Sequence, residues 1–203
     1  MTIAIVDYGM GNLRSVARAI EHVGGRALVT GDPAAALAAD ALIVPGVGHF
    51  GACMRNLRER RLDEVVTSFA ESGRPVFGVC VGMQVMFEGS EEAPGVPGLG
   101  LIGGVSTRLG AGGVKVPHMG WNQVLWQGEP VHPYVADIPQ TWFYFVHSFA
   151  PSVPDAVGVT TYGDTAFAAA VSKGNLFATQ FHPERSGEWG LRLYAAFVKD
   201  AAR

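Results

Sequence analysis

Four short apolar runs, each followed by a stretch with helical spacing, set the strongest limit on what this chain can fold into. Residues 2–6 precede a helical pattern over 12–23, and residues 26–30 precede a helix opened by Asp32 and Pro33, a cap and first-turn pair. Residues 41–44 lead into a glycine-rich loop and a helical region over about 50–72, and residues 76–79 into a helical segment at 83–88. Such alternation builds a parallel sheet with helices on both faces, because each helix is the crossover that carries the chain back to the same edge.

From about Gly95 the texture changes to short runs broken by Gly and Pro, at 120–126, 142–146, 157–161, 167–171 and 176–181, which are expected as antiparallel strands. Ser186 opens a last amphipathic helix through Lys199, with Trp189, Leu193, Ala196 and Phe197 at helical spacing. No repeat or linker interrupts the chain. The expectation is one α/β domain over residues 1–203: an open, mostly parallel twisted sheet with helices on both faces and an antiparallel extension from the second half. A length of 203 residues with 48% hydrophobic content supplies one well-buried core.

The formal net charge of −3 leaves no basic footprint to hold a phosphate backbone, so nucleic acid has no compositional support as a partner. No run approaches the roughly 18 apolar residues of a membrane span. The opening Met1-Thr2-Ile3-Ala4-Ile5-Val6-Asp7 lacks a basic start and reads as a buried strand, not a signal peptide. Two cysteines, Cys53 and Cys80, without metal-like spacing fit a reducing, cytoplasmic compartment, and Cys53 falls among helical apolar positions as core packing. The six histidines show no paired ligand spacing, so no metal is expected. Gly9-Met10-Gly11 has Arg14 where a dinucleotide fingerprint needs its third glycine, so no such cofactor is expected.

Gly78-Val79-Cys80-Val81-Gly82 reads as a nucleophile elbow, with a strand behind it and a helical segment ahead. An isolated cysteine at the end of a core strand is usually a small hydrophobe. The flanking glycines argue otherwise, since only residues without Cβ let the backbone pass close to a side chain held at the tip of a sharp turn. A helix N-terminus beyond it favours a thiolate and offers the Val81 N–H to an oxyanion.

A reactive thiol needs a base, and Phe181-His182-Pro183-Glu184 supplies an imidazole with a carboxylate two residues on. In extended chain such residues project to the same side, so Glu184 can orient His182. Pro183 cannot donate to a ladder and places the pair at a strand end, where open α/β sheets carry their sites. Pro45-Gly46-Val47-Gly48, directly after the third strand, leaves backbone N–H groups free for the other half of an oxyanion hole. Losing one such donor typically lowers a rate about 100- to 1000-fold.

These pieces, with Gln84 four residues after the cysteine, closely resemble the triad-type (class I) glutamine amidotransferases, and the resemblance covers essentially the whole chain. It implies that Cys80 attacks the carboxamide of glutamine, releases ammonia and leaves a glutamyl thioester that water hydrolyses, with no cofactor. His182 is then general base and acid, Glu184 its orienter, and Val47 and Val81 the oxyanion donors through their backbone. Gly46, Gly48, Gln84 and the backbone of His147 and Ser148 would hold the substrate. An α/β-hydrolase shares the elbow but places its acid well before its histidine. A non-catalytic subunit of the same fold has no need of an intact Cys80, His182 and Glu184.

Segments 7–13, 116–122 and 144–148 are similar to the branch of the family that passes its ammonia to a (β/α)8-barrel cyclase subunit in histidine biosynthesis. The resemblance therefore implies a heterodimer, with Asn12, Met119, Trp121, Asn122 and Tyr144 on the docking face. The other reading of these aromatic residues is a core cluster. Independently of the family, free ammonia is protonated and lost in water, so a receiving partner is expected. Three positions depart from the expected pattern: Val81 for Leu, Phe149 for Tyr and Arg185 for Lys.

Overall fold

The computed structural model describes residues 1–110, 113–152 and 156–203. Its first half runs β1 (Thr2–Val6), α1 (Leu13–His22), β2 (Arg26–Thr30), α2 (Pro33–Leu37), β3 (Ala41–Gly46), α3 (Phe50–Glu59), α4 (Leu62–Ser72), β4 (Val76–Cys80) and α5 (Val81–Gln84). Asp32 caps α2 through its side chain as expected. The single helical region expected over 50–72 is two helices, broken at Arg61, whose φ of 55° is left-handed. The segment after Cys80 is one short turn and not a helix over 83–88.

The second half runs β5 (Gly89–Ser90), β6 (Val105–Arg108), β7 (His118–Trp126), β8 (Thr141–His147), β9 (Phe149–Pro151), β10 (Gly158–Tyr162), β11 (Thr165–Lys173), β12 (Leu176–Thr179), a 3-10 turn (Pro183–Arg185) and α6 (Gly187–Ala201). The main sheet has the order β2-β1-β3-β4-β12-β11-β10-β7-β8. From β2 to β12 every neighbour is parallel, and from β12 to β8 every neighbour is antiparallel. β12 was expected among the antiparallel strands; it is instead the joint, antiparallel to β11 and parallel to β4. Strands β5, β6 and β9 form a second small sheet that the sequence pattern does not announce.

The central strands β3 and β4 are buried along their whole length, as strands covered on both faces must be. Phe77 of β4 packs against Tyr194 and Phe197 of α6, while its neighbour Gly78 faces Met86 on the other side. Helices α1 and α6 pack together as one layer, and α2, α3 and α4 make the other. Among the described residues no helix is long and apolar enough to cross a membrane.

The two strands that carry the elbow and the glycine-rich loop meet at their C-terminal ends, where Gly46 pairs with Cys80. A Cβ at Gly82 would overlap the Val44 carbonyl oxygen, and one at Gly46 would overlap the Gly82 amide nitrogen. Both glycines are therefore required by close approach and not by their dihedral angles. Gly82→Ala should destabilise the fold by roughly 3 kcal/mol or more, because backbone cannot give way as a side chain can. Gly103→Ala, which meets open space, should stay within about 0.5 kcal/mol. Denaturant unfolding of both variants checks this, and equal effects would remove the close contact as the reason for Gly82.

Candidate active site

Cys80 sits at the tip of the turn between β4 and α5 with φ 55° and ψ −112°, a conformation that a residue with a side chain rarely adopts. Holding it there costs about 1–3 kcal/mol, which the buried strands on either side sustain. The thiol faces a cleft of about 130 Å³ whose lining includes His182, Val47, Gly48, Val81 and Gln84. Val81 opens α5, where the first N–H groups have no intrahelical acceptor. The loop of Val47 is held from behind: the buried Tyr8 hydroxyl donates to the Pro45 carbonyl, and Cys53 Sγ lies 3.5 Å from the Val47 carbonyl. Cys53 is the core residue expected, its thiol pushed up to about 11 by burial.

His182 and Glu184 meet, with Nδ1 2.8 Å from Oε1, and both side chains are almost fully buried. Their proximity has a different origin from the extended strand expected: β12 ends at Thr179, and Pro183–Arg185 is a 3-10 turn that folds Glu184 back beneath the ring. The second carboxylate oxygen takes the Tyr194 hydroxyl of α6 at 3.5 Å. His182 Nε2 is buried and finds no hydrogen-bond partner among the described residues. Burial by itself pulls the imidazole pKa down, but the Cys80 thiolate beside it and the Glu184 carboxylate more than offset this and raise it to about 10. The buried carboxylate thus favours the imidazolium form of the ring, and the ring in turn favours negative charge on a sulfur beside it.

The wall opposite is a chain of buried amides and rings. Gln84 Nε2 donates to the Phe149 carbonyl at 2.8 Å and to Gln180 Oε1 at 3.0 Å, and Gln180 Nε2 lies 3.6 Å from Cys80 Sγ. Gln84 thus spends both N–H groups inside the protein, and only its oxygen remains for a ligand. His147 Nδ1 also donates to the Phe149 carbonyl, at 3.0 Å, so its Nε2 accepts from His118 Nδ1, at 3.0 Å. Burial holds His118 near 4 and, with the His118 charge adding to it, His147 near 3, so both rings are neutral. Phe149 acts through its backbone oxygen, so the hydroxyl missing there leaves these contacts intact.

Of the residues expected in the site, Cys80, His182, Val47, Val81, Gly48, Gln84, His147 and Ser148 share the cleft. Gly46 does not line it; it packs behind the elbow, against Gly82. Met119 and Trp121 are 63% and 53% exposed, which excludes the core-cluster reading, and Tyr144 pairs with Trp121 across the strands. The structure adds Trp142, 54% exposed, to that face. Asn122 leaves it: as the next residue along β7 it projects to the other side and donates to the Thr161 carbonyl and His118 Nε2. Asn12 stands before α1, just beyond the end of β1, half-buried and without a side-chain cap bond.

Gln180, Tyr194 and Glu92 were not read from the sequence. Gln180 had a signal, standing two residues before His182; Glu92, which lines the cleft and accepts from the Phe50 N–H at 2.7 Å, had none. Among the described residues no group of His, Cys, Asp or Glu is arranged to hold a metal ion.

A family model described as glutamine amidotransferase class-I matches residues 4–201. The chain is 48% identical to the imidazole glycerol phosphate synthase subunit HisH of Methylococcus capsulatus, over 98% of this chain and 96% of that one. It is 46% identical to the subunit of the same name from Thermus thermophilus, over 96% of each. A solved glutamine amidotransferase superposes with a TM-score of 0.73 at 22% identity, covering 99% of both chains. A Trypanosoma brucei CTPS glutaminase domain with bound acivicin gives 0.64 at 20% identity, over 100% of this chain and 94% of that one. At such identities these two likenesses establish the fold alone.

In Cys80→Ala the His182 ring should titrate well below its wild-type value, because the sulfur's contribution is gone while burial persists. Nitrogen-15 shifts of the ring followed with pH measure this. A midpoint unmoved by the substitution would show that the thiolate does not hold the proton.

Proposed function

Because the chain belongs to the class I glutamine amidotransferase family, we propose that it works as the glutaminase subunit of an imidazole glycerol phosphate synthase, in the cytoplasm, with Cys80, His182 and Glu184 as its triad. The observation that carries the reading is the buried His182–Glu184 pair facing the strained Cys80 across one small cleft. Full-length similarity to synthase subunits selects the synthase from others that use ammonia.

The Cys80 thiolate attacks the carboxamide carbon of glutamine, and the carbonyl oxygen takes up negative charge within reach of the Val47 and Val81 N–H groups. His182 gives its proton to the departing amine, the C–N bond breaks, and ammonia leaves a glutamyl thioester on Cys80. Neutral His182 then removes a proton from water, which attacks the thioester carbon, and glutamate departs as the thiolate re-forms. Glu184 keeps Nδ1 of the ring occupied, so Nε2 is the nitrogen that exchanges protons with the reactants.

Ammonia must be used before water protonates it. The receiving partner is a (β/α)8-barrel cyclase subunit, which uses it to make imidazole glycerol phosphate and an aminoimidazole carboxamide ribotide. Its seat is the exposed apolar face of Met119, Trp121, Trp142 and Tyr144 on β7 and β8, where the Tyr144 carbonyl accepts the His182 N–H. The two free cysteines fit a reducing cytoplasm.

Glutamate release from glutamine, measured for this chain alone and then with a barrel cyclase and its nucleotide substrate, should rise strongly in the mixture. Cys80→Ala should abolish glutamine-dependent turnover while turnover with ammonium salts persists, and His182→Asn should fall nearly as far, since triad members act as a unit. Fast release that ignores the cyclase would keep the glutaminase and replace the partner. Loss of ammonium-dependent turnover in Cys80→Ala would overturn the division of labour.

A further inference from the structure

We propose that Gln180 is a further catalytic residue, whose side-chain N–H donates to the Cys80 sulfur and stabilises the thiolate; the proposal rests on the glutaminase reading above. Gln180 is fully buried and immediately follows β12, on the strand end that also delivers His182, and its Nε2 lies 3.6 Å from Sγ.

The direction of that amide is dictated by its surroundings. The Phe149 carbonyl can only accept, and it faces Gln84 and His147 Nδ1, so both present N–H groups to it. With Gln84 turned that way, its second N–H points at Gln180, which must answer with its oxygen, at 3.0 Å. The remaining end of the Gln180 amide, the NH2 group, is then the end at the sulfur. Turning Gln180 over would set two N–H groups against each other and a carbonyl oxygen against the thiolate. The His147 side of the lock is itself fixed, because His147 Nε2 accepts from His118, whose Nε2 faces the Asn122 amide nitrogen at 3.3 Å.

A second dipole faces the sulfur with the opposite sign. The Val146 carbonyl oxygen lies 3.9 Å from Sγ, where it suits an S–H and opposes a thiolate. Gln180 balances that carbonyl, and without it the imidazolium of His182 would face the opposition alone. The other titratable groups around the thiol are His147 and Glu92 in the cleft, with Tyr8 and Cys53 behind the elbow. His147 is neutral, and Tyr8 stays protonated because burial raises it well above its ordinary value.

The test compares wild type with Gln180→Met, of similar length but without a donor, and Gln180→Glu, which keeps the oxygen that Gln84 needs and sets a second oxygen at the sulfur. Alkylation of Cys80 by iodoacetamide is followed against pH, with the labelled peptide identified by mass. Its acid limb should move up by about one pH unit in Gln180→Met and further in Gln180→Glu, the loss of a weak hydrogen bond to a charged group. In the complex with the cyclase, kcat for glutamine should fall about tenfold in Gln180→Met with KM within about threefold, while ammonium-dependent turnover reports that the chain is folded and docked. Where Gln180→Met fails to fold, Gln180→Glu decides. An alkylation profile superimposed on that of wild type in a folded variant overturns the proposal. A wild-type chain that hydrolyses no glutamine overturns the glutaminase reading instead, and the alkylation arm still decides the role of Gln180.

Discussion

The contact on which the site depends is that of backbone on backbone between Gly82 and the Val44 carbonyl. It lets the end of β3 lie against the first turn of α5, and with Gly46 it closes the gap between the loop of Val47 and the elbow of Cys80. Cys80 then has nowhere to go but the left-handed turn it occupies. β12 is the strand next to β4 on the other side, so His182 emerges beside the sulfur without any long excursion of chain. Cys80, the loop of Val47 and His182 come from three adjacent strand ends, and the sheet order alone brings them together.

Around that core the electrostatics divide into two halves. On one side a buried carboxylate, bonded to His182 and to the Tyr194 hydroxyl, supports an imidazolium that would otherwise be expelled by burial. On the other side the groups nearest the sulfur are the amides of Gln84 and Gln180, the Val146 and Phe149 carbonyls and the His147 ring, and burial keeps the rings of His118 and His147 neutral. Apart from Glu92, whose carboxylate is engaged by the Phe50 N–H, the ionisable groups of the cleft are those of the Cys80–His182–Glu184 line and the two neutral rings. An arrangement of this kind keeps competing basic imidazoles off the wall that faces His182.

The fold class, the elbow and the meeting of His182 with Glu184 are legible in the sequence because each is local: a periodicity, a glycine spacing, a His-x-Glu pair. What it concealed arises from long-range contact. Tyr194 reaches Glu184 from a helix where its spacing says only core, and Glu92 reaches the cleft from a turn with no pattern of its own. Gln180 shared its strand end with His182, yet only the sheet shows that it touches the sulfur. Asn122 was misplaced for a plainer reason. A contiguous motif was read as one surface, whereas a strand alternates, so Met119 and Trp121 face outward and Asn122 inward. The antiparallel reading of β12 is right for its hairpin partner β11 and incomplete for its other edge, because pairing with β4 is set by a strand about 100 residues earlier, beyond any local pattern.

The outward face of β7 and β8 has a mechanical relation to the cleft. Trp142 and Tyr144 lie on β8, and the same strand runs on through Val146 and His147 into Ser148 and Phe149, whose backbone forms the cleft wall. The Tyr144 carbonyl accepts the His182 N–H, and its N–H is held by Ser186 beyond the 3-10 turn that carries Glu184. A partner seated on that face would load a strand hydrogen-bonded to His182 and covalently continuous with the cleft wall. Coupling between docking and hydrolysis then needs no pathway through the core. A displacement of a few tenths of an ångström along β8 would move the Val146 carbonyl relative to Cys80 Sγ and the Phe149 carbonyl relative to the Gln84 amide that orients Gln180.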